Sequence, residues 1–144
     1  MRRGLVLVLS AACLTGCGGG SSSASSRLQT RAARICTAAN RRLEQDRPRQ
    51  SHYQAFLGDG LAVLEPELRR LKSVRTVASD QAVYADALGA LGREITEVKR
   101  TLSGLDHHQD PALAFAALQR RLAPLESQAN AAWRALQIPA CVNR

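Results

Sequence analysis

From Asp80 onward the apolar positions keep a steady rhythm. Tyr84, Leu88, Leu91, Ile95, Val98, Leu102 and Leu105 alternate spacings of four and three. That is the 3.5-residue repeat of helices packed nearly parallel or antiparallel. It predicts a helix over about Asp80–Ser103, capped by Ser79 and ended by Gly104 as the left-handed residue. After a polar loop the rhythm returns. Asp110-Pro111 places an N-cap acid before a proline at the first helical position. Phe115, Leu118, Leu122, Leu125, Ala129, Ala132 and Leu136 then predict a helix to about Gln137, interrupted by Pro124 and closed by Pro139. Trp133 borders that stripe and reads as a core anchor.

Two further amphipathic segments lie upstream. Ser51 followed by Gln54 has the spacing of a capping box. Tyr53, Leu57, Gly60, Leu61, Leu64, Leu68 and Leu71 share one face behind it. The stripe runs through Pro66 without losing phase, which leaves both a kink and a break open. Earlier still, Leu28, Ala32, Ile35, Cys36, Ala39 and Leu43 fall within about 100° of a helical wheel. They predict a helix over about Arg27–Asp46, ended by Pro48. No segment alternates in the manner of a strand, and aromatic residues make up only 3% of the chain. Four amphipathic helices with short connections imply an all-α, up-down-up-down four-helix bundle. Its first and last helices then lie side by side as an antiparallel pair.

The N-terminus has a different character. Arg2 and Arg3 precede an apolar run from Gly4 to Cys13, too short to cross a bilayer core, which takes about 20 apolar residues. Small residues then lead into Leu14-Thr15-Gly16-Cys17. This resembles a signal peptide ending in the lipobox of bacterial lipoproteins. The resemblance implies cleavage between Gly16 and Cys17 and acylation of Cys17, with palmitate-like chains. Two or three chains on one residue suffice for stable anchoring. The mature protein would then sit on the extracytoplasmic face of the cell membrane, held there by lipid. The arginine pair leaves open whether export is general or twin-arginine. The chain divides into a signal peptide (1–16), a lipidated Cys17 with a Gly/Ser tether (17–26), and a helical domain (27–144). The tether segment, GGGSSSASS, reads as flexible, with a span of about 15–18 Å. Cys36 with Asn40 four residues on, the amphipathic helices and the late Cys141 also resemble small helical envelope lipoproteins of high-GC bacteria. That likeness implies no activity.

Removing the signal peptide changes the cysteine count. Cys13 leaves with it and Cys17 is acylated, so Cys36 and Cys141 remain. An even pair in an exported domain reads as a disulfide. Cys36 lies mid-helix, so the chain after Ile138 must fold back along the first helix to reach it.

Charge adds one surface. The formal net charge is +8, and residues 27–49 carry seven arginines against two carboxylates. Arg27, Arg31, Arg34, Arg41 and Arg42 fall in one sector of the first helix. The stripe points to contact with anionic lipid headgroups or anionic wall polymers close to the anchor. Nucleic acid is not an expected partner outside the cell.

The chain offers little catalytic chemistry. His107-His108, between Asp106 and Asp110, reads as a polar interhelix loop rather than a metal site. Glu94 and Glu97 share a helix face with Arg93 and Arg100 as ordinary surface partners. No Glu-x-x-His or Cys-x-x-Cys-His occurs, and the only methionine is Met1. There is no nucleophile elbow or phosphate loop. The expectation is a non-enzymatic protein without a cofactor, structural or engaged with an envelope protein partner. The alternative is a small-molecule sensor or ligand-binding bundle, its ligand between helices loosened by Pro66 and Pro124. An apolar pocket lined from both proline kinks would favour that alternative, and a solid core there would count against it.

Overall fold

The computed structural model describes residues 19–45 and 53–143. The described residues form four α-helices and one short 3-10 helix: α1 (Gly19–Gln45), α2 (Tyr53–Lys72), α3 (Ala78–Asp106), α4 (Pro111–Ala135) and a turn at Pro139–Cys141. The fold is the all-α four-helix bundle that the periodicity implies. The lipobox-like stretch, the expected cleavage between Gly16 and Cys17, and the expected helix signals at Pro48 and Ser51 lie outside the described residues.

The apolar stripes become the core. Leu28, Ala32, Cys36 and Ala39 of α1 are buried. So are Tyr84, Leu91, Ile95, Val98 and Leu105 of α3. Ala87 and Ala90 are buried as well, because α3 packs on α2 along one side and on α4 along the other. Small residues there let two neighbours approach one helix. Trp133 has no exposed surface. Its ring meets Tyr84 edge-to-face at 5.8 Å, the geometry favoured by opposed ring quadrupoles. The Tyr84 hydroxyl donates to the Leu71 carbonyl at 2.7 Å, which ties the end of α2 to α3. Burial pushes the Tyr84 phenol up to about 12.

Several boundaries differ from the sequence reading. The segment expected to be a flexible tether is helical from Gly19. Serine and glycine are weak helix formers. However, a helix already nucleated by Leu28 to Leu43 needs only propagation to extend backwards. Ser25 also anchors the extension by donating to Asp80 at 2.9 Å. α3 begins at Ala78 with Val77 as its cap, so Ser79 falls inside the first turn, where it donates to Asp80. α3 continues through Gly104 to Asp106. Its left-handed residue is His108, φ 63°. The amide of Gln109 donates to the Gly104 carbonyl and that of His108 to Leu105, a Schellman closure. Gly104 serves a different purpose, since the Gln109 side chain folds over its α-carbon where a β-carbon would stand.

The start of α4 is as read. Asp110 caps it, accepting from the Leu113 amide at 2.9 Å, with Pro111 next. Pro66 and Pro124 both sit inside uninterrupted helices, so neither breaks its helix. Each removes one donor to the carbonyl four residues back. Those carbonyls belong to Ala62 and Arg120, both exposed residues, where solvent is at hand to take the place of the missing donor.

The largest correction concerns closure of the bundle. α1 packs on α2 and on the 3-10 turn, and it forms no comparable seam with α4. The chain leaving α4 bridges the two helices instead. At the end of α4, Gln137 is left-handed, φ 58°. The Ile138 amide donates to Trp133 and the Gln137 amide to Arg134, again a Schellman closure. Its partner contact is present, since Ile138 and Trp133 are both fully buried. The chain then turns back onto α1. Cys141 is bonded to Cys36 with α-carbons 5.2 Å apart, within the usual disulfide range. Asn40 donates to the Ala140 carbonyl from α1. From α4, Asn130 and Asn143 exchange two hydrogen bonds at 3.1 and 2.9 Å.

Candidate binding cleft and basic helix face

Because the 136–143 segment spans only part of the α1–α4 seam, the bundle does not close along its whole length. The core accordingly has two parts. One surrounds Trp133 and the disulfide. The other is built from Leu57, Val98, Leu105 and Leu118, with no α1 residue among them. Beside this second part lies an open cleft of about 420 Å³. Its walls come from all four helices: Leu43 at the end of α1, Leu57 and Leu64 of α2, Val98 of α3, and Leu118 and Leu122 of α4. Leu64 precedes Pro66 by two residues, and Leu122 precedes Pro124 by two. Neither proline lines the cleft itself, and Pro66 borders a separate depression between α1 and α2.

Its mouth is aromatic and acidic. Both phenylalanines of the chain, Phe56 and Phe115, line it, their rings edge-to-face at 5.9 Å. Tyr53 backs Phe115 at 5.2 Å. Phe56 is 39% exposed, an unusual place for a large ring unless something packs on it. Asp59, Glu94 and Glu126 contribute one carboxylate each from α2, α3 and α4. Among the described residues no lysine or arginine lines the cleft. Glu65 pairs with Lys99 and Arg69, and Glu97 with Arg100 and Arg121. Lys99, by hydrogen bond and then by charge, holds the Glu65 carboxyl below the usual carboxylate range, with a smaller contribution from Arg69.

This cleft was not legible as a set of residues in the sequence. One signal was available: Gly60 stands at a position of the α2 stripe otherwise held by large apolar residues. A β-carbon there would meet nothing within 4 Å, so packing does not require this glycine. At Gly60 the missing side chain leaves the cleft open.

The five arginines read from the sequence are on α1 and all are exposed: Arg27, Arg31, Arg34, Arg41 and Arg42. Among the described residues none takes part in a salt bridge. Arg42 and Arg70 border one shallow depression between α1 and α2, with the buried Glu67 in its floor. The basic face thus reaches from α1 onto α2. None of these five arginines lines the cleft.

His107 and His108 form the C-terminal turn of α3. Among the described residues no group of three or more His, Cys, Asp or Glu side chains is placed to hold a metal ion. Nor is any described helix long and apolar enough to cross a membrane. Comparison with known protein families, with curated proteins and with solved structures gave no match to this chain.

Proposed function

We propose that this chain is a lipid-anchored, extracytoplasmic binding protein of the cell envelope, acylated at Cys17, whose bundle takes up a small apolar ligand in the cleft. The observation that carries the binding part is the cleft itself. A space of about 420 Å³ lies within the roughly 300–1,000 Å³ usual for small-molecule sites. Apolar walls with a few polar groups at the mouth are the usual makeup of such sites. Its volume and apolar walls favour the ligand-binding reading over a purely structural one. The lipobox resemblance supports the anchoring part.

Two measurements test the reading. Metabolic labelling with an alkyne fatty acid should mark the wild-type protein and not Cys17→Ser. Equal labelling of both would remove the anchor. The full chain carrying Cys17→Ser, kept free of detergent, should bind the neutral fluorophore N-phenyl-1-naphthylamine. Gly60→Leu should abolish that binding without lowering the melting temperature, because leucine is a far better helix former than glycine and Gly60 has open space above it. Unchanged binding in Gly60→Leu would place the fluorophore elsewhere.

The exposed, unbridged arginines of α1 favour a second contact, with anionic headgroups or wall polymers. Reversing Arg31, Arg34 and Arg41 to Glu should weaken binding to anionic liposomes at low salt. Equal binding would deny the stripe that role.

A further inference from the structure

The end of the bundle that holds the start of α1 gathers cations from four stretches of chain. Contacts among the helices define that end. Ser25 donates to Asp80 at the start of α3. Gln29 of α1 donates to the Leu136 carbonyl at 3.2 Å. Trp133 of α4 meets Tyr84, and Tyr84 donates to Leu71 near the end of α2. Arg27 and Arg31 flank Gln29, Lys72 follows Leu71, Arg75 lies in the connection between α2 and α3, and Arg134 follows Trp133. All five are exposed. None takes part in a salt bridge among the described residues. The carboxylates beside them are Asp80, which accepts from Ser25 and Ser79, and the exposed Asp86. Asp46 is the one carboxylate side chain of the sequence outside the described residues, and it follows Gln45, at the opposite terminus of α1.

We infer that this end is a docking surface for an anionic bilayer, and that the bundle stands on it with the cleft held away from the lipid. The inference rests on the anchor at Cys17 proposed above, which commits the partner to a membrane. One residue separates Cys17 from Gly19, so their α-carbons are at most about 7 Å apart. From Gly19 the chain is already helical, and a helix gives the bundle a direction that a coil would not. The six residues of α1 ahead of Ser25 make a stalk about 9 Å long. That is close to the screening length of about 8 Å at physiological ionic strength, so the cations around Gln29 and Leu71 stand within the field of charged headgroups. Arg41 and Arg42 lie about 33–35 Å along α1 from Gly19 and are screened from them in this stance. Leu43, which lines the cleft, lies about 36 Å from Gly19 along the same helix. A ligand therefore reaches the cleft from the aqueous side, without first entering the bilayer.

The test measures co-sedimentation of the full Cys17→Ser chain with two kinds of vesicle. One is equimolar phosphatidylglycerol and phosphatidylcholine, the other phosphatidylcholine alone, and the ratio of affinities is the anionic preference. Comparing variants in that ratio cancels the contribution of residues 1–18, which all of them carry. Each basic residue near an anionic leaflet strengthens binding about fivefold. Lys72→Gln, Arg75→Gln and Arg134→Gln together should therefore lower the preference by about tenfold or more. The melting temperature should not change, because all three side chains are exposed. Arg41→Gln with Arg42→Gln should lower the preference by less than about twofold. A larger loss from the Arg41, Arg42 pair would overturn the inference and leave the α1 stripe as the lipid contact. A starting chain with no anionic preference would overturn both, while fatty-acid labelling of Cys17 would still decide the anchor on its own. Inorganic polyphosphate that binds through Lys72, Arg75 and Arg134 as tightly as the anionic vesicles, at equal phosphate, would assign this end to an anionic polymer, and that too would overturn the bilayer as its partner.

Discussion

Replacing both Cys36 and Cys141 by alanine should show how much of the fold depends on the segment that bridges α1 and α4. The bond closes a loop with a sequence separation of 105 residues. In the chain-entropy account a loop of that size restricts the unfolded ensemble by about 4.7 kcal/mol, and native bridges often deliver less. Against a domain stability of about 5–15 kcal/mol, a loss of about 3–5 kcal/mol is a large fraction. Both sulfurs are fully buried, and alanine leaves the surroundings apolar, so the variant introduces no buried polar group. With a urea slope of about 1.5–2 kcal/mol/M for a protein of this size, the unfolding midpoint should fall by about 2–3 M. Circular dichroism across a urea series, with the wild type run oxidised and reduced, measures it. Reduced wild type should match the double-alanine variant. A midpoint within about 0.3 M of oxidised wild type would refute the reasoning. It would mean that the packing of Ile138 and the two asparagine clasps already hold the seam without the covalent bond.

Two further outcomes follow from local geometry. Gln137 occupies a left-handed position that glycine adopts without strain, so Gln137→Gly should raise stability by roughly 0.5–1 kcal/mol; a loss in thermal denaturation would show that the Gln137 side chain makes a needed contact. Tyr84 keeps its proton in the folded state up to about pH 12, whereas the unfolded phenol releases it near 10. Between those values the folded state binds the extra proton, so stability is intact below pH 10 and falls by up to about 1.4 kcal/mol per pH unit above it. Tyr84→Phe should flatten that part of the denaturation profile relative to wild type; identical slopes would remove Tyr84 as the cause.

The helices were readable because their signals are local. The α3 stripe repeats over six intervals, and Asp110-Pro111 specifies a cap and a first helical position through adjacent residues. The disulfide was also readable, since removing Cys13 and Cys17 leaves one possible pair. Misreadings occurred where two local rules competed. Gly104 is the usual choice for a helix-ending residue, but the α3 stripe remains apolar at Leu105, and burying that side chain carries the helix one turn further to His108. The Gly/Ser segment has the composition of a linker, yet it follows the helix it adjoins and is fastened by Ser25 to Asp80, fifty-five residues away. Propensity could not anticipate a partner so distant. The cleft was beyond reach for the same reason. It arises because the 136–143 segment, and not α4 itself, meets α1, and no periodicity within one helix reports how far two helices stand apart. The carboxylates at its mouth were visible only as three unrelated acidic residues.

The bridging segment also sets the order in which the protein can be completed. The face of α1 that carries Leu28, Ala32 and Cys36 is made early, and the residues that cover it, Ile138 to Cys141, come about a hundred residues later. At about 5–20 residues per second, that is a delay on the order of five to twenty seconds. During that interval the Cys36 thiol has no Cys141 to bond and part of the apolar face has no cover. A cysteine nearer in sequence would remove the wait, because its bond could form while the chain was still emerging. Here oxidation must wait for residue 141, and a chain interrupted anywhere before it would lack the bond.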